Sequence, residues 1–420
     1  MSPLIVTLLL AAVPSAGLQL PEGFSATVFH EGVGRARHIA VAPDGRVFVR
    51  LRSGDPTLVV LRDADGDGRA EQLARFGNLP GGTGIEVFEG WLYVSTDRAV
   101  YRWKLPPLPA LAPAGAPELI VDGMLGDHSH DAKSLAIDAD GGLYVNNGAP
   151  SNACQSEDRR KGSPGQQPCP QLQRAGGVWR FEARKPGQQH GRDGKRIATG
   201  VRNAVALAWD PASKGLFAVP HGRDQLNTLF PDLYSVEDNA ELPAEEFHRL
   251  REGTDAGWPY TYWDQRQGAR VIAPEYGGDG KRRAEPGRYL DPLVAFPGHW
   301  APNDLLFLAG RGWPARYRGG ALVAFHGSWN RAPLPQRGYK VVFVPFANGK
   351  PTGPPEDFAT GFPGKEPLAS PSDAAHRPMG LAEGPDGALY IADSVRGRVW
   401  RVMYREPAQS ARPSLEIDRE

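Results

Sequence analysis

Among the side chains suited to chemistry, six stand out by position: His130, Arg202, Asn203, His221, Arg377 and Arg50. An imidazole transfers protons near neutral pH, a guanidinium grips carboxylates in a fixed fork, and a carboxamide both donates and accepts. Gathered in one place, they could hold an anion or move a proton. Their positions suggest such a gathering, because each lies at the edge of the same recurring phrase. The phrase is a polar residue or two, an apolar β-run, a turn such as Pro-Asp-Gly, and a second apolar run ending in polar residues. It occurs at 37–53 (RHIAVAPDGRVFVRLRS), 82–97 (GTGIEVFEGWLYVSTD), 130–148 (HDAKSLAIDADGGLYVNNG), 202–222 (RNAVALAWDPASKGLFAVPHG), 303–330 and 377–394 (RPMGLAEGPDGALYIADS).

Each phrase reads as two strands joined by a tight turn. A lone hairpin cannot bury its apolar face, so several must pack around a common axis. Further strand-length runs follow most hairpins, at 99–104, 177–181, 340–346 and 398–404. Six hairpins with trailing strands predict an all-β fold, a six-bladed β-propeller of four-stranded antiparallel blades over residues 20–405. The longest gap, between Arg202 and Asn303, places insertions in loops over one face; within it, 244–252 (AEEFHRLRE) suits a short helix. In a propeller the inner strand begins and the second strand ends at one rim of the channel. The hairpin flanks therefore converge there: Arg37, His38, Arg50 and Arg52; His130, Asn146 and Asn147; Arg202, Asn203, His221 and Gly222; His299, Asn303, His326 and Asn330; Arg377 and Asp393. Arg50 and Arg52 alternate on a strand end, so one is expected to face the channel and the other solvent.

Composition narrows the class further. The 420 residues carry 48 acidic and 48 basic side chains, so no bulk field recruits nucleic acid or an anionic membrane. Residues 4–13 (LIVTLLLAAV) before Pro14-Ser15-Ala16 read as an export signal over 1–16, although no Lys or Arg precedes the apolar core. That run is too short to span a bilayer. A periplasmic or secreted protein is expected, with a polar tail over 406–420. Cys154 and Cys169 sit in a polar, Gly/Pro-rich insertion that needs a staple. A disulfide closing this loop would contribute about 3 kcal/mol in an oxidising compartment; two free thiols are the alternative.

A calcium signal lies in Asp63-Ala64-Asp65-Gly66-Asp67-Gly68, with carboxylates at alternate positions before a glycine and Glu71 at the ninth. Ala74 stands where a twelfth-position Glu is expected. A structural calcium is the expectation, and a solvated acidic turn the alternative.

The segments 130–138 (HDAKSLAID), 200–208 (GVRNAVALA), Gly257-Trp258-Pro259, 317–331 (YRGGALVAFHGSWNR), Gly338-Tyr339-Lys340 and 377–387 (RPMGLAEGPDG) together resemble the pyrroloquinoline quinone (PQQ)-dependent sugar dehydrogenases. The likeness is to the branch called sorbosone or pyranose dehydrogenase, with soluble glucose dehydrogenase more distant, and it runs over residues 20–404. It implies that His130 is the base that takes the hydroxyl proton while hydride leaves for the quinone. The family's preceding aspartate is Ser129 here, and His128 is the second candidate for base. The resemblance further implies that Arg202 and Asn203 bind the quinone oxygens and that Arg377 binds a cofactor carboxylate. A second arginine of the family is Met379 here, with Arg331 a substitute cation and Lys340 a weaker one. His221 stands at the family's side-chain partner just before the calcium carbonyls, which fall on Gly222 and Arg223. The family's glutamine on the second blade is replaced by the loop Gly81-Gly82-Thr83-Gly84.

The expected activity is therefore oxidation of an aldose, sugar aldehyde or related alcohol, with PQQ and Ca2+ as cofactors and a respiratory carrier such as a cytochrome as electron acceptor. Two other readings stand beside it: a calcium-dependent lactonase-type propeller hydrolase, and a non-catalytic propeller that binds carbohydrate or protein. His299, Trp300 and Trp329 are candidates for a sugar-binding wall or for packing between blades. The run Arg159-Arg160-Lys161 reads as a solvated loop.

Overall fold

The computed structural model describes residues 15–406; the expected leader up to residue 14 and the tail from 407 lie outside the described residues. Six four-stranded antiparallel blades are arranged as a β-propeller. The first blade is Ala36–Val41, Val47–Leu51, Leu58–Arg62 and Gln72–Phe76, each strand paired to the next. Inner strands Ile85–Phe88, Leu135–Ile137, Ala206–Asp210, Pro302–Phe307 and Pro378–Glu383 open the other five. The ring closes with a strand absent from the expected pattern. Phe24–His30 pairs antiparallel with Val399–Tyr404, so the first strand of the described residues becomes the outermost strand of the last blade.

Packing explains why the second strand of most phrases is nearly all apolar. In a radial stack each blade is covered on both faces, so successive side chains pointing opposite ways are both buried. Val47, Val49 and Leu51 pack toward Tyr390 and Val399 of the last blade, whereas Phe48 packs the other way, toward Leu92 and Val94 of the second. The same division repeats around the ring, with one apolar cluster in each of the six gaps between neighbouring blades.

The insertion after residue 222 holds two short helices, Leu226–Leu229 and Val236–Glu241, and a ribbon of Thr261–Asp264 with Ala269–Ile272. Segment 244–252 is not the expected helix. Glu245–Leu250 is the third strand of its blade, between Gly215–Val219 and Val294–Phe296. Its Phe247 is buried against Phe217 and Phe296, and such tertiary pairing outweighs helix propensity. Cys154 and Cys169 are disulfide-bonded, which settles the choice left open by the sequence. Among the described residues no helix is long and apolar enough to cross a membrane.

Candidate active site at the channel mouth

The rim where the hairpin flanks were expected to meet holds a cavity of about 300 Å³, and His130, Arg202, His221, Gly222 and Arg377 all line it. Asp224, Glu245, His299, Asn303, His326 and Trp329 complete most of its wall. Below the mouth, Ala132, Val205 and Met379 from three blades form a buried apolar cluster. Met379, at the position of the family's second arginine, is thus core, and its sulfur accepts from Nδ2 of Asn303 (3.1 Å).

His130 is buried, and its ring is oriented by the backbone: Nδ1 lies 2.5 Å from the carbonyl oxygen of Ala149. A carbonyl only accepts, so Nδ1 carries the hydrogen and Nε2 keeps its lone pair. The missing aspartate before His130 is therefore replaced by a main-chain acceptor. Gly148 makes this approach possible, since a Cβ there would lie 2.5 Å from the His130 carbonyl oxygen and 2.7 Å from its Cβ. Burial first, and then the positive charge of Arg202, hold the His130 pKa well below the ordinary imidazole value. His128 does not line the cavity; its Nδ1 accepts from the backbone N–H of His130 (3.2 Å) and so shapes the loop.

Arg202 is buried in a dense set of acceptors. Its Nε donates to the Asn152 carbonyl (3.1 Å), Nη1 to the Gly222 carbonyl (2.6 Å), and Nη2 to Asn152 Oδ1 (3.0 Å) and Asp224 Oδ2 (2.9 Å). Burial pushes the Asp224 carboxyl up, but Arg202 and Arg159 overcome this and hold it well below the usual carboxylate range. Asn203 sits behind the wall, its Oδ1 accepting from Nδ2 of Asn146 (3.2 Å). His221 donates from Nε2 to Asn303 Oδ1 (2.8 Å), and burial followed by Arg202 lowers its pKa to about 4.

Arg377 donates from Nε to the His326 carbonyl (2.9 Å) and from Nη2 to the Gly327 carbonyl (2.5 Å), which aims its guanidinium along the rim. The other cations proposed from sequence are engaged elsewhere. Arg331 pairs with Glu241 (2.7 Å) and donates to the carbonyls of Pro335 and Ala240, away from the cavity lining. Arg50 is fully buried, with its donors on Thr57, Pro80 and Ser95, so it staples the first blade to the second. Arg52 pairs with Asp97 (2.6 Å), and neither arginine of that strand end lines the cavity, contrary to expectation. Lys340, on the third strand of its blade, pairs with Asp357 (2.6 Å) and covers the Trp300 ring. Trp300 itself packs edge-on against Phe325, whereas Trp329 is 54% exposed at the cavity edge.

The Gly222 peptide is held from both ends: its N–H donates to Glu245 Oε2 (2.9 Å) and its carbonyl accepts from Arg202. Burial raises the Glu245 carboxyl to about 8 despite the N–H groups of Gly222 and Ala301. The Arg223 side chain turns away into a buried pair with Glu275 (2.5 Å), and of the two expected calcium carbonyls only that of Gly222 belongs to a residue lining the cavity. In the acidic turn, Asp63, Asp65 and Glu71 bring carboxylate oxygens within 4.8 Å of one another; Asp67 is not part of that group.

Sequence reasoning missed Asp224, Glu245, Asn152 and the Ala149 carbonyl. Asp224 stood two residues past a phrase end and Glu245 inside a misread strand, while Asn152 lay between a phrase end and the first cysteine, outside every repeat. Ala149 offers a backbone atom, which leaves no side-chain signature.

A family model described as TrAA12-like matches residues 18–405. The chain is 29% identical over 240 residues to a PQQ-dependent pyranose dehydrogenase of Coprinopsis cinerea, a match covering 49% of this chain and 31% of that relative. It is also 25% identical over 213 residues to an uncharacterised protein of Borreliella burgdorferi, covering 50% of this chain and 49% of that one. The chain thus spans half or less of the length of these curated relatives. Among solved structures, the holo PQQ domain of the Coprinopsis cinerea pyranose dehydrogenase matches with a TM-score of 0.70 at 20% identity, covering 94% of this chain and 98% of that one. A calcium structure of a Trichoderma reesei family AA12 enzyme matches with a TM-score of 0.74 at 18% identity, covering 94% and 99%.

Proposed function

Since the chain belongs to the TrAA12-like family, within the PQQ-dependent sugar dehydrogenases that its motifs resemble, we propose that it oxidises a sugar or related alcohol with PQQ as cofactor and His130 as general base. The observation that carries this reading is the convergence of an open imidazole nitrogen and two separately anchored guanidinium groups, Arg202 and Arg377, on one cavity. Such a wall suits a flat polycarboxylate.

The residues present fit that guest. Arg377 would take a carboxylate and Arg202 the quinone side, with Asn203 supporting it from behind the wall; the carbonyls of Gly222 and Arg223 would take a calcium ion, a hard cation that prefers oxygen, once Arg202 Nη1 turns from the Gly222 carbonyl toward the guest. The bound quinone would supply the two-electron acceptor for hydride. His130 supplies the proton acceptor: with Nδ1–H fixed on Ala149, Nε2 meets the substrate hydroxyl in one tautomer only. Its low pKa keeps it unprotonated at neutral pH and limits its strength as a base. Trp329 offers an exposed aromatic face on which a sugar ring can stack. A cytochrome or similar carrier would then receive the electrons.

The disulfide fits an oxidising compartment, and we propose export to the periplasm or exterior. The Asp63 loop is proposed as a second, structural calcium site. A lactonase-type hydrolase would need carboxylates free for a metal, yet Asp224 is held by arginines and Glu245 by backbone N–H groups. Titration with PQQ and calcium, followed by aldoses and an artificial acceptor, tests the reading. Calcium-dependent uptake with an absorbance change on adding sugar is expected; no uptake contradicts it and favours a binding propeller.

A further inference from the structure

The run Arg159-Arg160-Lys161 of the disulfide-closed insertion was expected to be solvated, yet Arg159 reaches a residue of the cavity wall. It donates from Nη2 to Asp224 Oδ2 (2.6 Å) and from Nη1 to Gln225 Oε1 (2.7 Å). Oδ2 is the same oxygen that accepts from Arg202. Just before the first cysteine, Asn152 accepts from Arg202 and from the Asp224 N–H (2.8 Å) and donates to the Asp224 carbonyl (3.0 Å). One carboxylate therefore faces two guanidinium groups and can neutralise only one of them.

We propose that Arg159 is an affinity-setting residue of the cofactor site: by sharing Asp224 it leaves positive charge on Arg202 for an anionic guest that Arg159 itself does not touch. This rests on the reading of the cavity as a site for PQQ. Without Arg159, the Arg202–Asp224 pair would be neutral and the wall would attract a polyanion less. Arg159 does not line the cavity, so the effect is carried by charge across the Asp224 carboxylate. The groups facing Arg159 are Asp224, Gln225 and Asp158, whose carboxylate lies 3.8 Å from its Nε. Asp158 is one-third exposed and its field at the cavity is weakened by solvent. The insertion is thus part of the site, and the disulfide closes the loop that delivers the arginine.

The test is equilibrium binding of PQQ, with calcium present, to the full-length wild type and to Arg159→Gln and Arg159→Lys, at low and at high salt. The expected result is roughly 5- to 20-fold weaker binding for Arg159→Gln at low salt, recovery to within about threefold in Arg159→Lys, and a smaller gap at high salt. Equal loss in both variants would mean that loop packing rather than charge matters, and unchanged affinity in both would remove Arg159 from the site; either overturns the proposal. A thermal midpoint near wild type shows that the variants are folded. Failure of the wild type to bind PQQ contradicts the functional reading, and the inference with it, at a stage that the variants do not reach.

Discussion

The carbonyl of Ala149 fixes the tautomer of His130: the 2.5 Å contact at Nδ1 leaves Nε2 as the basic atom. The ring is anchored by a neutral carbonyl rather than a carboxylate, and burial followed by Arg202 disfavours the imidazolium by more than Ala149 and Asp224 restore. The arrangement gains a single orientation and an unprotonated base while giving up driving force for proton transfer.

His130→Ala is expected to lower kcat by about two orders of magnitude or more while PQQ affinity stays within about threefold. In the wild type, the acid limb of the kcat profile should fall below pH 6.5, because the imidazole resists protonation in its buried setting. Unchanged turnover in the variant would show that His130 is not the base.

Gly148→Ala tests the orientation without touching the base. The added methyl would collide with the backbone and Cβ of His130 and press on Asn203. About a tenfold fall in kcat is expected, with KM and PQQ affinity moving far less. A wild-type rate would show that the ring keeps its pose despite the added methyl, so that glycine at 148 is not what permits it.

Arg377→Ala and Arg331→Ala form a contrasting pair. The first faces the cavity and should weaken PQQ binding by about 10- to 100-fold, as expected for loss of a charge-assisted contact. The second is engaged by Glu241 and Ala240, so its loss should lower the unfolding free energy by about 2 kcal/mol or more and leave affinity nearly unchanged. Binding and urea titrations separate the two.

Much of the architecture was legible in the sequence, because every blade repeats the same hairpin and both faces of each blade must be apolar. The rim was legible for the same reason: His130, Arg202, His221 and Arg377 flank strands that the fold brings together. Residues that function through the backbone or through the insertion were not. Ala149 acts by a carbonyl, and Asp224 and Arg159 meet only because of a loop fold with no periodic signal. Arg50 and Arg331 lie outside the cavity lining because a cation near a rim can serve equally as a staple, and only its acceptors decide which.

Stability should peak near pH 6.5. Burial keeps His38 neutral to about 3 and His190 to about 4, and pushes His130 and His326 well below 6.5, so the unfolded chain binds more protons on these four histidines and their contribution to stability falls as pH drops below 6.5. In the channel beyond the apolar cluster, Glu86 is raised by burial to about 8, and Asp304 well above its usual value. There the folded chain holds more protons, so the Glu86 contribution shrinks as pH rises from about 4.5 to 8; it opposes the histidines below 6.5 and acts without that opposition above it. Glu86→Gln should therefore stabilise the protein at pH 8 by about 1–2 kcal/mol and flatten the alkaline limb. Urea unfolding across pH checks this, and a destabilised variant at pH 8 would contradict it.

The most direct test is a crystal structure of the protein grown with PQQ and calcium. The account predicts PQQ in the mouth cavity, one carboxylate on Arg377, calcium on the carbonyls of Gly222 and Arg223, and Nε2 of His130 open toward the substrate side. Quinone bound elsewhere, or a cavity without it at saturating concentration, would contradict the account.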